Sequence, residues 1–244
     1  MATRLVQVSI KAYDKSAVGR FWADALGWEV TNDDAAETNV EPPGLTYPDP
    51  RAVYIDVLTV PEPKTVKNRV HLDLATTSAQ QQAELVARLQ TLGATPIDIG
   101  QGNVPWTVLA DPEGNEFCVL EPRAIYADTG PVAAVVVDCT DPSEMARFWG
   151  EAMDWTVRTL TDTQAALRSP AGGPYLEFIR TPDAKSGLNR IHLDLRPYPN
   201  DNHATEADRL RTLGATDLDI GQGDVPWTVF ADPEGNEFCL LTPR

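Results

Sequence analysis

The segment IDIGQGNVPWTVLADPEGNEFCVLEPR, Ile97 to Arg123, returns as LDIGQGDVPWTVFADPEGNEFCLLTPR, Leu218 to Arg244, identical at 22 of 27 positions with a constant offset of 121. The same offset lays NRVHLDL at Asn68 on NRIHLDL at Asn189, and Tyr54-Ile55-Asp56 on Tyr175-Leu176-Glu177. Upstream the offset is 127, where Arg20-Phe21-Trp22 falls on Arg147-Phe148-Trp149. The first copy therefore holds six extra residues, placed most simply around EPPGLTYPDP. Two tandem copies of about 120 residues, 1–123 and 131–244 joined near AIYADTGP, fit this pattern; a solenoid needs more and shorter repeats.

Within a copy the hydrophobic period changes in a fixed order. RLVQVSIKA alternates like a strand. It leads into a helix capped by Asp14, whose apolar positions Val18, Phe21, Trp22, Ala25 and Leu26 share one face. The second copy repeats the helix from Asp141, with Pro142 in its first turn and Met145, Phe148, Trp149, Ala152 and Met153 on the stripe. This spacing places both tryptophans in a core. Short strands follow, ending in AVYIDVLTV; the series then restarts with RVHLDLA, a helix carrying Leu85, Val86, Leu89 and Leu92 that Gly93 closes, and strands near TPIDI, PWTVLA and EFCVL. The expected architecture is α+β: four βαβββ modules.

Composition narrows the function. A formal charge of −16, with scattered lysines and arginines, argues against tracking a phosphate backbone or an anionic membrane. No run of eighteen apolar residues and no apolar leader with a cleavage site is present, so a cytoplasmic protein is expected. Three cysteines without a Cys-x-x-Cys pair point to reduced thiols. GQG lacks the strand-loop-helix order and the Lys-Ser/Thr of a phosphate loop, and DPEGN reads as a turn. His203 is expected at an exposed helix start.

The segment LVQVSIKAYDKSAVGRFWADALGW, the strand VHLDL and the closing DPEGNEF, each with a counterpart in the second copy, resemble the vicinal oxygen chelate superfamily of tandem glyoxalase-like and bleomycin-resistance-like proteins. That resemblance implies that paired modules curl into two open barrels, each around a cavity. It also implies one divalent metal, held by side chains from the first and last strands of paired modules. Carried over by position, those strands offer Gln7 or Ala134, Asp56 or Glu177, His71 or His192, and Cys118 or Cys239. Pairing within a copy would assemble Gln7, Asp56, His71 and Cys118. Pairing across copies would join Gln7 and Asp56 to His192 and Cys239, and Ala134 and Glu177 to His71 and Cys118. Cysteine stands where metal-dependent relatives usually present glutamate, and no full set of hard ligands exists, so no cofactor is expected; if a divalent metal is bound, the first-copy set is the better candidate.

Alternation puts Val70, Leu72 and Leu74 on one face of a strand and His71 and Asp73 on the other, and likewise His192 and Asp194. An imidazole beside carboxylates suits acid–base work, ligand contact or a hydrogen-bonded structural pair. Trp106 and Trp227 would stack on a flat ligand or pack beneath the helices. The leading expectation is a protein that binds an aromatic or apolar small molecule in a largely metal-free cavity lined by Gln7, Asp73, Trp106, Cys118, Asp194, Trp227 and Cys239. The alternatives are a proton-transfer enzyme of isomerase, epimerase or lyase type, with Asp56 or Glu177 as base and His71 or His192 as acid or orienting group, and a metal-dependent glyoxalase or dioxygenase. The partner is a small molecule, not nucleic acid or membrane. Four modules in one chain suit a monomer or a homodimer.

Overall fold

A computed structural model describes residues 2–244. Copy one runs β1 (Arg4–Ala12), α1 (Lys15–Leu26), β2 (Glu29–Asp33), β3 (Glu37–Glu41), β4 (Tyr54–Thr59), β5 (Val70–Leu74), α2 (Ala79–Thr91), β6 (Thr95–Pro96), β7 (Thr107–Ala110) and β8 (Glu116–Val119). A short 3-10 turn at Ala124–Tyr126 leads into copy two: β9 (Val132–Cys139), α3 (Pro142–Met153), β10 (Thr156–Leu160), β11 (Gln164–Arg168), β12 (Tyr175–Arg180), β13 (Ile191–Arg196), α4 (His203–Leu213), β14 (Thr216–Asp217), β15 (Thr228–Ala231) and β16 (Glu237–Leu240). The four modules are those the periodicity predicts.

The strands form two mixed eight-stranded sheets. Sheet A has the order β14-β15-β16-β13-β1-β4-β3-β2, and sheet B the order β10-β11-β12-β9-β5-β8-β7-β6. Each sheet takes one module from each copy. The first module pairs with the fourth through antiparallel β1 and β13, and the second pairs with the third through β5 and β9. The repeat is thus the unit of sequence but not of sheet formation. Neither sheet closes on itself, since β2 and β14, and β10 and β6, remain edges.

Local chemistry explains the elements. The Asp14 carboxylate accepts from Ala17 N at 2.9 Å to start α1, and Gly27 at φ 67° ends it in the left-handed region. Asp154 occupies the equivalent place after α3 at φ 55°, a conformation that disfavours a side chain. Gly93, at φ 111°, follows the Leu92 cap of α2. The expected TPIDI strand shrinks to the two residues of β6. After Ile97 the chain enters a loop containing Gly100 and Gly102 at φ 84° and 68°, which no longer follows a ladder. Residues 42–53 bridge β3 and β4, whereas 169–174 bridge β11 and β12, so the six extra residues lie in the expected loop.

One apolar core spans both sheets. Trp22 and Phe148 are buried on the helix stripes. The Trp22 ring meets Phe117 of sheet B at 5.1 Å, and the Trp149 ring meets Phe238 of sheet A at 5.1 Å, so each helix ties its own sheet to the other. Such edge contacts add about 0.5–1.5 kcal/mol each beyond burial. The DPEGN turns are more than turns. Asp111, 2 % exposed, accepts from Glu113 N, Asn115 N and Trp22 Nε1. Glu113 in turn accepts from Tyr13 N and Asp14 N at the start of α1 and pairs with Arg190 at 3.0 Å.

Candidate functional site

Each sheet turns one face to this core and the other, concave face away from it. Val8 and Ile10 on β1, Ile55 and Val57 on β4, and Leu193 and Leu195 on β13 join the core. Alternation leaves Gln7, Ser9 and Lys11, then Tyr54 and Asp56, then His192, Asp194 and Arg196, on the concave face of sheet A. Register aligns them in rows: Cys239, Asp194, Gln7 and Tyr54 in one, and His192, Ser9, Asp56 and Asn39 in the next.

This face is polar and mostly buried. Asp194 Oδ2 accepts from Gln7 Nε2 and Ser9 Oγ, both at 2.7 Å, while its Oδ1 stands 3.3 Å from His192 Nε2. Burial would raise the Asp194 pKa, but the His192 charge and the hydrogen bonds from His192, Ser9 and Cys239 outweigh it and hold the carboxyl below its ordinary range. Asp56 is different. It accepts from Asn39 Nδ2 at 2.5 Å, yet burial dominates and pushes its carboxyl up to about 7.

On sheet B the corresponding rows are Cys118, Asp73, Ala134 and Tyr175, and His71, Val136, Glu177 and Ala166. Ala134, Val136 and Ala166 replace Gln7, Ser9 and Asn39. With Val108, Leu120, Tyr126 and Tyr175 they form a second apolar cluster, which Trp106 and Ile179 flank. Asp73 lacks both donors that Asp194 has; its Oδ1 lies 3.4 Å from His71 Nε2 and has no aligned hydrogen bond. Burial opposes the His71 imidazolium, but the neighbouring Asp73 carboxylate prevails and raises the His71 pKa. Glu177 accepts from Tyr126 Oη at 2.7 Å, and burial raises its pKa despite that bond.

Several expected residues therefore come together in a different grouping. His71, Asp73 and Cys118 form one cluster and His192, Asp194 and Cys239 another, each with donor atoms within 4.8 Å of one another. The first-copy set Gln7, Asp56, His71 and Cys118 is not assembled, because pairing across copies sends its first two members to sheet A and its last two to sheet B. Trp106 packs on the sheet B cluster with the Arg123 guanidinium 5.6 Å from its ring, whereas Trp227 is 37 % exposed beside a cavity of about 400 Å³. His203 is half-buried, its Nε2 3.0 Å from Leu240 O, because α4 begins against the end of β16.

The metal that the resemblance implies can be tested against these donors. On sheet B, Ala134 offers no donor and Glu177 already serves Tyr126; on sheet A, the Gln7 amide and Asp56 already have partners. The four-strand set therefore fits poorly. The triads fit better: His192 Nδ1 and Asp194 Oδ1 are buried without hydrogen-bond partners. An ion there would have His192, Asp194 and Cys239 as ligands, an N, O, S set that suits zinc and would let it polarise a bound carbonyl. Both thiols are pushed well above their ordinary pKa by burial and by Asp73 or Asp194.

Two tyrosines escape the repeat reading. Tyr47, from the extra loop, meets Tyr54 edge to face at 5.8 Å and donates to Glu41 at 2.5 Å. Tyr126, from the linker, meets the equivalent Tyr175 at 5.5 Å. Neither has a counterpart in the other copy. Ser9 and Asn39 were within reach, because the repeat alignment sets them against Val136 and Ala166.

A model of the glyoxalase-like domain matches residues 7–120 and again 134–241. Glyoxalase I from Zea mays shares the fold at a TM-score of 0.67 and 16 % identity, over 99 % of this chain and 92 % of that one. A Bacillus subtilis protein described as a dioxygenase aligns at 0.65 and 13 %, over 99 % and 86 %. No curated protein sequence matches the chain.

Proposed function

The chain belongs to the glyoxalase-like domain family, and from that premise we propose that it binds an aromatic or apolar small molecule on the concave face of sheet B without a resident metal. The observation that carries this reading is the row in which Val136, Ala134 and Ala166 replace the polar residues of sheet A beside the Tyr126–Tyr175 pair. Apolar walls with a few fixed polar groups are the usual make-up of a small-molecule site. Here the polar groups are Glu177, His71 and Asp73. They would orient a ligand whose ring stacks against Tyr175 or Trp106. Tyr126 lies over the same face, so ligand entry requires its ring to yield.

The neutral fluorescent probe N-phenyl-1-naphthylamine tests this. It is expected to bind the native chain and to lose about tenfold in affinity when Ala134→Gln and Val136→Ser give sheet B the residues of sheet A. Unchanged affinity in that double variant would remove the reading. Protein purified without chelators should hold less than about a tenth of an equivalent of zinc, nickel, manganese or iron. Stoichiometric zinc that Cys239→Ser abolishes would instead favour a metal site at the sheet A triad.

A second reading, acid–base chemistry on sheet A, is favoured by Asp56. Its pKa of about 7 suits a general base at neutral pH. Ser9 lies between Asp56 and His192 in the row, so a substrate over Ser9 would meet both base and imidazole. Asp56 would take a proton from carbon and His192 would return one, an isomerisation. Solvent deuterium entering a panel of 2-hydroxy ketones, and lost in Asp56→Asn, is the expected signature. No exchange with any member of the panel counts against it.

A further inference from the structure

A cavity of about 950 Å³ lies between two connections: residues 60–69, which join β4 to β5, and 181–190, which join β12 to β13. Lys11 lines it at the end of the concave row Gln7, Ser9, Lys11. The repeat relates Lys11 to Asp138 and Leu188 to Lys67. Asp138 and Lys67 form an ion pair. The equivalent pair is Lys11 and Leu188: a cation stands where the acid was and an apolar side chain where its lysine was, so no ion pair forms there.

Lys11 Nζ donates only to the main-chain carbonyl of Asn189, at 3.3 Å, and among the described residues no carboxylate lies within ion-pair distance. The acid that acts on it most strongly, Glu237, is engaged by Lys185 at 2.6 Å and by Asn189 N at 3.0 Å. Burial makes the ammonium uncomfortable and lowers its pKa. The other cations of the cavity already serve acids: Lys64 with Glu116, Lys67 with Asp138, Arg69 with Glu234, and Arg190 with Glu113. Beside Lys11 the cavity presents Val66, 55 % exposed, and Leu188, 56 % exposed, together with Ile220.

A half-buried, unpaired ammonium next to exposed aliphatic surface matches a ligand with one negative end and an apolar body. Of the five cationic side chains that line the cavity, four are compensated by carboxylates, which leaves Lys11 as the charge available to a ligand. We propose that this cleft binds a small organic carboxylate, its anionic group on Lys11 and its hydrocarbon against Val66, Leu188 and Ile220. The site uses none of the sheet B residues and stands apart from the binding proposed there.

Calorimetric titration of the full chain with octanoate and with octanol tests it. Octanoate is expected to bind at least about tenfold tighter than octanol, the difference being the charge-assisted contact with Lys11. Lys11→Met should erase that difference, and Leu188→Glu, at an exposed position the fold tolerates, should weaken octanoate by a similar factor. Ala134→Gln with Val136→Ser should leave octanoate binding unchanged. The proposal is overturned if the native chain binds no octanoate, if Lys11→Met and Leu188→Glu bind it as the native chain does, or if the sheet B variant abolishes it.

Discussion

The two concave faces are built from the same repeat, yet they solve the burial of a carboxylate in opposite ways. On sheet A, Gln7 and Ser9 fix Asp194 with two bonds of 2.7 Å, and Asn39 serves Asp56. On sheet B, all three donors are replaced by Ala134, Val136 and Ala166, and the linker supplies Tyr126 to Glu177. The His-x-Asp and cysteine cluster persists on both. Constant clusters with variable surroundings indicate faces that share a scaffold but differ in what they can hold: polar and protonatable on A, apolar and aromatic on B.

The largest expected effect tests the apolar character of sheet B. Val136→Asp, 3 % exposed in the native chain, should cost about 3–5 kcal/mol in urea unfolding at neutral pH, because the new carboxylate is buried in the apolar cluster beside the Glu177 carboxyl. A cost below about 1 kcal/mol would show that water reaches this face and would break the contrast with sheet A.

The next effect concerns Asp56 and has a definite sign. Its native pKa is raised to about 7, so the folded state keeps this proton longer than the unfolded chain. The stabilisation is complete below about pH 4, declines as pH rises to about 7 and is flat beyond it. Comparing urea unfolding of the native chain with Asp56→Asn across that range should expose a difference of roughly 3–4 kcal/mol. Parallel curves would mean that Asp56 is solvated. Asp194 acts in the opposite direction: its depressed pKa gives a contribution present above the ordinary carboxylate range and lost as pH falls.

The smallest effect sharpens the comparison of the two intruding tyrosines. Tyr126→Phe should cost about 1–2 kcal/mol, because Tyr126 is itself buried and its hydroxyl is the donor to the half-buried Glu177. Tyr47→Phe should cost about half as much, since Tyr47, unlike Tyr126, is only half-buried and water can replace its hydroxyl. Thermal unfolding of both variants checks the order; equal shifts would place Glu177 and Glu41 in equally wet surroundings.

Much of the fold was legible because it depends on local rules. The helix stripes, the Asp14 and Asp141 caps and the alternation that turns His71 and Asp73 away from the core all follow from spacing along the chain. The candidate site was legible as a set of residues and not as a grouping. β5 and β13 are near-identical, VHLDL against IHLDL, so nothing in either says whether β1 or β9 will lie beside it. Tyr47 and Tyr126 were hidden for a related reason: they lie in the two segments without a counterpart, where the repeat offers no comparison.

By itself, the sequence determined four modules, their turns and the face on which each functional side chain lies, because backbone periodicity and capping act over a few residues. Only the tertiary structure decided that the first module joins the fourth and the second joins the third, that Gln7 therefore meets Asp194 and not Asp73, and that Lys11 faces Leu188's side of a cleft without an acid to pair with. Those outcomes depend on contacts between residues more than a hundred positions apart, where two equivalent partners compete and only the path of the whole chain selects one.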